Sequence, residues 1–197
     1  MSRGSVALLL GFWAGACAAR GHIATPAEVD QLLQAQGLAA SGRITVEGPR
    51  GKLSARVVFG VARPDSLRIE MPAGTGLRFL LVSRNGRLRA DLPGDDAMFE
   101  GPGNRETVNG LFGVNVAPEE LVAAILGDPP ESMSAGWRFD RNLPAQITIH
   151  EPSGARLTLT LEEPILAAPA NRAFEFGPPR SRSWTLQEMS SRLGLRR

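Results

Sequence analysis

Asn109–Pro129, reading NGLFGVNVAPEELVAAILGDP, sets the architecture, because it is the one firmly helical stretch between two blocks of strand-patterned sequence. Pro118 suits a first helical position, where its missing N–H costs nothing. Glu119 and Glu120 set carboxylates against the positive end of the helix dipole. Gly127 suits the left-handed conformation just past the helix end, and Pro129 blocks a restart. Leu121, Val122, Ile125 and Leu126 form a broad apolar stripe, worth roughly 1.5–3 kcal/mol each once buried. So short a helix is not stable alone and has to lie on something apolar. Strands are what the sequence supplies on both sides, so the expected arrangement is a lid laid on one face of a curved sheet.

Working outward, the strand phase is informative. Leu53, Ala55, Val57, Phe59 and Val61 alternate with residues such as Ser54 and Arg56. Leu67, Ile69 and Met71 alternate with Ser66, Arg68 and Glu70. Leu77, Phe79 and Leu81 form the next apolar face, although Leu80 and Val82 blur it, and Leu88, Ala90 and Leu92 alternate with Arg87, Arg89 and Asp91. Asn85-Gly86 between two such runs is the strongest short hairpin signal, and Pro49-Arg50-Gly51 and Arg63-Pro64-Asp65 mark other turns. Beyond the helix, Ala145, Ile147 and Ile149 alternate with Gln146, Thr148 and His150, and Pro152-Ser153-Gly154 turns the chain into Leu157, Leu159 and Leu161. Ala173–Phe176 reads as one further short strand. One apolar and one polar face per strand predicts an antiparallel sheet with one side in water. A sheet of this many strands has to curl, and curling around a few small helices leaves a concave apolar interior.

The chain has 197 residues and a net charge of +2, so nothing general draws it to nucleic acid. Tyrosine is absent and aromatic residues are few, which opposes a base-stacking role. Arg3, the apolar run Val6–Trp13 and the small residues Ala14-Gly15-Ala16 make a secretory signal, too short to span a membrane. Small residues directly before Cys17, the sole cysteine, resemble the lipobox of bacterial lipoproteins. In those proteins the cysteine is diacylated, the leader is cut before it, and the new N-terminus is acylated. The position three before the cysteine is usually leucine and here is Ala14. The other reading is an ordinary secretory leader with Cys17 a bystander. A lone cysteine forms no internal disulfide, so the fold relies on its core. Ala18 follows the cysteine, with no aspartate there, and by resemblance to the enterobacterial sorting rule this favours the outer membrane.

The expected organisation is a signal peptide over 1–16, a tether over 17–24, one domain over 25–177 and a basic amphipathic segment over 178–197. Thr25-Pro26-Ala27-Glu28 is a capping box opening a helix over Pro26–Gln36, with Val29, Leu32 and Leu33 on one side. Thr185-Leu186-Gln187-Glu188 is another, with Trp184 and Met189 placed as a hydrophobic staple. Leu186, Met189 and Leu193 share one face, ringed by Arg180, Arg182, Arg192, Arg196 and Arg197. Two readings of this tail stand: a basic segment touching anionic lipid or a partner, or a terminal helix docked on the sheet with its charges solvated.

Catalytic constellations are thin. His22 and His150 have no neighbours at metal-ligand spacing, and neither a nucleophile elbow nor a phosphate-cradling loop is present. Gly74 and Gly76 are loop glycines. Asp95-Asp96 and Glu162-Glu163 are adjacent carboxylates, which on a strand point to opposite faces. No enzyme activity, no metal and no cofactor are expected.

Gly42-Arg43-Ile44, Pro64–Ile69 (PDSLRI), Met71-Pro72-Ala73-Gly74 and Leu111-Phe112-Gly113-Val114 followed by Pro118–Gly127 occur in that order over most of Ser41–Glu162. The series resembles the LolB family of outer-membrane lipoprotein receptors and its superfamily, which includes the periplasmic carrier LolA. The resemblance implies an α+β, mainly β fold: a strongly curved antiparallel sheet forming an incomplete barrel, with small helices covering the concave apolar face. It implies a cavity for acyl chains lined by Val57, Phe59, Leu67, Ile69, Phe79 and Leu81 and covered by Leu121, Val122, Ile125 and Leu126. A dry, filled core would use the same residue types. The family carries an exposed leucine on a loop that pushes cargo into the membrane. Here that loop is Met71–Gly76, with Ala73 at the leucine position and Met71 or Leu77 as substitutes.

The implied function is an outer-membrane-anchored protein, on the periplasmic face, that binds the acyl chains of lipoproteins or lipids without covalent chemistry. Its partners would be those acyl chains, the membrane through Cys17, and a periplasmic carrier protein, with no nucleic acid. The alternative is a structural or regulatory lipoprotein of the same fold that grips a protein partner.

Overall fold

The computed structural model describes residues 30–31, 33–49, 51–74, 76–128, 137–142, 146–165, 167 and 169–193. The leader, Cys17, the tether with His22, the capping box at Thr25, Pro129, Ala145, Gly194, Arg196 and Arg197 lie outside the described residues. Of the N-terminal helix, Asp30, Gln31, Leu33 and Gln34 are helical.

β1 (Gly37–Gly48) and β2 (Gly51–Ala62) form a long hairpin, paired from Gly37 opposite Ala62 to Gly48 opposite Gly51. β3 (Ser66–Ala73), β4 (Gly76–Arg84), β5 (Arg87–Leu92) and β6 (Ala97–Pro102) continue as an antiparallel meander. Two helices follow, α1 (Arg105–Phe112) and α2 (Pro118–Ile125). The chain returns through β7 (Arg138–Asn142), β8 (Gln146–His150) and β9 (Arg156–Ile165), and β9 pairs back onto β1. A 3-10 turn (Asn171–Phe174), β10 (Arg182–Ser183) and α3 (Leu186–Arg192) complete it. Among the described residues ten strands run in the order β10-β6-β5-β4-β3-β2-β1-β9-β8-β7. All pairings are antiparallel except the two-residue contact of β10 with β6. β7 does not pair with β10, so this strongly curved sheet is an incomplete barrel with helices over its concave face. Register shifts at Ala39/Ser41 and Met71/Pro72 mark where the pairing bends. Gly42 sits where β1 comes so close to the Thr160 carbonyl of β9 that any Cβ would collide with it.

The expected strand phases hold on the concave side. Val57, Phe59, Val61, Leu67, Ile69, Phe79, Leu81, Leu88, Ala90, Leu92, Ile147, Ile149, Leu157, Leu159 and Leu161 join one buried core. Asn85 (φ 52) and Gly86 (φ 70) both take left-handed conformations, as a type I′ hairpin turn requires.

Four expectations are corrected. The opening stretch holds the end of one helix and the whole of another, split at Gly113, which takes the left-handed region (φ 76) and ends α1. α1 starts upstream, where Asn104 Oδ1 accepts the Thr107 N–H at 3.0 Å. Strands β6 and β7 were not anticipated. Ala173–Phe176 falls not in a strand but at the 3-10 turn, where Phe174 plugs into the sheet. The convex face is not all in water. Leu80, Val82 and Phe174 make a second small core there, which explains why alternation fails in β4: both faces of that strand are covered. Arg68 Nη1 helps hold this cover by donating to the Ala173 carbonyl at 2.9 Å.

The described part of the tail is packed rather than free. Met189 is completely buried in the main core, and Leu186 occupies the space that a Cβ on Gly110 of α1 would take. Thr185 and Glu188 cap each other, with the Glu188 N–H on Thr185 Oγ1 (3.2 Å) and the Thr185 N–H on Glu188 Oε2 (2.7 Å). Arg192 donates to both Asp95 oxygens, at 2.8 and 2.9 Å. That guanidinium holds the Asp95 carboxyl below its ordinary range, and the Thr185 backbone N–H, then its hydroxyl, do the same for Glu188. Both groups prefer ionisation in the folded state. Their contribution is therefore present above the ordinary carboxylate range and is lost as pH falls through the lowered values. Amide-exchange protection over Leu186–Arg192 is expected to drop on acidification below about pH 4, before that of β4, which holds no carboxylate. Equal loss in both regions would contradict this.

Candidate functional site

The concave face of the sheet and α2 enclose a void of about 20 Å³. Val57 and Phe59 of β2, Leu67 and Ile69 of β3, and Leu121 and Ile125 of α2 line it, together with Ile44 of β1 and Leu157 and Leu159 of β9. Every wall is apolar. The space admits about one water-sized sphere, and a water there would find no hydrogen-bond partner. Phe79, Leu81, Val122 and Leu126, also expected to border a cavity, are buried in the same core but do not border this space. Phe79 instead meets Phe112 of α1 edge to face, with ring centroids 6.0 Å apart and planes at 89°. Lid and sheet side chains thus interdigitate to near-complete packing. Ile44, Leu157 and Leu159 were not foreseen as lining, although the alternation of β9 marks the two leucines as inward.

Both ends of α2 are fastened by ion pairs between residues distant in sequence. At the N-terminal end Glu120, 3% exposed, accepts from Arg105 Nε at 3.1 Å and from its Nη2. The same carboxylate accepts the Ala117 N–H at 2.7 Å, which caps the helix. The hydrogen bond to Glu120 raises the Arg105 pKa further above its ordinary value. At the C-terminal end the chain leaves through Gly127 (φ 95), and Asp128 is bonded to Arg63 Nη1. The Arg63 guanidinium also donates to the carbonyls of Ala35 (3.1 Å) and Leu33 (3.2 Å), joining the lid to the N-terminal helix. Sequence reading gave Glu120 only a dipole role, since nothing local marks Arg105 as its partner.

The loop compared with a membrane-inserting element is corrected in part. Met71 is 5% exposed and belongs to the core, because it continues the inward phase of Leu67 and Ile69. Pro72, Ala73 and Gly74 are the exposed residues there, and the side chain of Leu77 is outside those described.

The adjacent carboxylates that are described are held apart, and the side chain of Glu163 lies outside those described. Asp95 is bound to Arg192, Asp96 to the Ser181 hydroxyl, and Glu162 faces solvent. His150 Nε2 lies 2.8 Å from Asp140 Oδ2 across β8 and β7. Among the described residues no three or more His, Cys, Asp or Glu side chains converge, and no helix is long and apolar enough to cross a membrane.

No protein-family model and no curated protein matches the chain. Among solved structures it is similar to a DUF1329 family protein from Desulfovibrio piger, at 10% identity and a TM-score of 0.45, over 76% of this chain and 93% of that one. A likeness of that degree bears on neither activity nor partners.

Proposed function

We propose that the chain is a LolB-like lipoprotein, anchored through Cys17 at the periplasmic face of the outer membrane, whose concave interior accepts the acyl chains of lipoproteins or lipids. It carries out no covalent chemistry and takes its cargo from a periplasmic carrier. The observation that supports this reading is the wholly apolar space between the sheet and a short helix bounded on both sides by left-handed glycines, Gly113 and Gly127.

In the closed form that space is far too small for a hydrocarbon chain, so uptake requires α2 to lift. The energies make the exchange feasible. Exposing Leu121, Val122, Ile125 and Leu126 costs roughly 6–12 kcal/mol, and a hinge that keeps the Arg105–Glu120 and Arg63–Asp128 pairs adds least to it. A guest tail with about fifteen buried methylenes recovers about 12 kcal/mol. The guest therefore replaces the contacts that the lid gives up, and the lid closes again when the guest leaves.

The test is titration of the purified protein, free of detergent, with a fluorescent fatty acid. Saturable uptake is expected, and Ile125→Glu is expected to lower affinity at least tenfold, because its carboxylate would sit among apolar walls. Unchanged uptake in a folded Ile125→Glu protein would count against the site. The tight interior also favours a second reading, a lipoprotein of the same fold that grips a protein partner. No uptake by the wild-type chain, together with a co-purifying stoichiometric partner, supports that reading.

A further inference from the structure

A second concavity, of about 450 Å³, shares no lining residue with the void under α2. It lies where the β1–β2 turn, the end of α1, the α1–α2 connection and the β8–β9 turn come together, and Trp137, Glu151, Asn109, Asn115, Ser153 and Pro49 contribute to its walls. Strand register builds it. Arg138 pairs with His150, so Trp137, one residue before, comes beside Glu151, one residue after. Glu151 is oriented from several sides. Its Oε1 accepts the Asn115 N–H at 2.7 Å, its Oε2 accepts the Ser153 hydroxyl, and its own N–H donates to the Ala155 carbonyl at 2.8 Å.

The chemistry of these walls selects the ligand. Among the described residues that line the groove there is no lysine, arginine or histidine, and Glu151 sets a negative charge in it, which disfavours an anion. An acyl chain would desolvate a carboxylate and two amides without replacing their hydrogen bonds. What the groove matches is a flat solute with an apolar face and a rim of hydroxyls. The C–H groups on one face of a pyranose carry partial positive charge and suit the negative face of an indole. Its edge hydroxyls donate to the carboxylate and to the amide oxygen of the exposed Asn115 and accept from that amide's N–H groups. The volume falls within the range of small-molecule sites, roughly 300–1,000 Å³.

We propose that this groove is a saccharide-binding site, with Trp137 as the stacking platform and Glu151 as the oriented hydroxyl acceptor. The proposal stands apart from the acyl-chain reading and survives or fails independently of it.

The experiment is isothermal titration calorimetry on the purified full-length chain. Chitotriose and maltotriose serve as free probes, vesicles containing a monoglucosyl diacylglycerol as the membrane-borne probe, and an immobilised glycan panel as the wider screen. Saturable binding is expected, at least tenfold weaker in Trp137→Ala and several-fold weaker in Glu151→Gln. Binding confined to the vesicles, with the same loss in Trp137→Ala, supports the site and identifies a glycolipid headgroup as its ligand. Trp137→Phe keeps an aromatic face and is expected to retain part of the affinity, which keeps the test decisive if Trp137→Ala fails to fold. Absence of binding to every probe and to the panel overturns the proposal. So does binding that is unchanged in Trp137→Phe and Glu151→Gln.

Discussion

Phe79→Ala is expected to destabilise the protein by about 3–5 kcal/mol, the usual loss for deleting a buried phenyl ring. Phe79 is completely buried, and its ring meets that of Phe112 at a near-perpendicular angle. It therefore joins the inner wall of β4 to α1, and through α1 to the docked tail. Such an aromatic pair is worth about 0.5–1.5 kcal/mol beyond its area. A domain of this size has only about 5–15 kcal/mol of stability in total, so the variant would lie near the edge of folding. Urea denaturation followed by circular dichroism should show a lower midpoint with an unchanged slope. Phe79→Leu, which keeps most of the volume, is expected to cost far less. A loss below about 1 kcal/mol in Phe79→Ala would mean that the ring is not packed as described.

Arg89→Ala is expected to have an effect of similar size for a different reason. Arg89 and Asp91 lie on the convex side of β5, and each side chain is only 4% exposed. Arg89 Nε donates to Asp91 Oδ1 at 3.0 Å, and its two terminal nitrogens donate to the carbonyls of Gly177 (2.7 Å) and Pro178 (2.6 Å). Removing the guanidinium strands a buried carboxylate and unties the segment that covers it. Arg180 compensates only in part, since its Nε forms an ion pair with Asp91 Oδ1 at 3.7 Å, beyond hydrogen-bond reach, and makes no hydrogen bond of its own. Breaking a buried pair from one side costs about 3–5 kcal/mol, whereas replacing both partners with apolar residues of similar volume is often nearly neutral. The combined change Arg89→Met with Asp91→Leu is therefore expected to recover the part of the loss that comes from the stranded carboxylate, and not the part that comes from the freed Gly177 and Pro178 carbonyls. Limited proteolysis should show early cleavage near Gly177 in both variants, since neither keeps the guanidinium that holds the Gly177 and Pro178 carbonyls, while the denaturation midpoint falls further in the single one. A single variant as resistant and as stable as wild type would contradict this account.

These two sites differ in how visible they are in the amino-acid order. Phe79 belongs to a run whose inward phase is plain, and its place in a core follows from alternation. Arg89 and Asp91 occupy the polar phase of β5 and read as a solvated face. Alternation reports which way a side chain points, not what lies over it. The blurred phase at Leu80 and Val82 was the one local sign that both faces of the meander are covered. Its cause, Phe174, lies some ninety residues further along the chain. The site under α2 follows the same division. The lid, its proline start, its glycine stop and its apolar stripe were legible, because capping, propensity and periodicity act within a few residues.

The amino-acid order alone was sufficient for a curved antiparallel sheet with its inward faces, the Asn85-Gly86 hairpin, the lid helix and the capped tail helix, since periodicity, turn residues and caps are local signals, whereas the return of β9 onto β1 joins distant segments. Long-range packing established how much of the interior is filled and what lies over the convex face. It also set which arginine fastens each end of the lid, and the meeting of Trp137 with Glu151. Those features depend on volumes and ion pairs between segments far apart in sequence, and such pairings leave no periodic trace in any one of the segments involved.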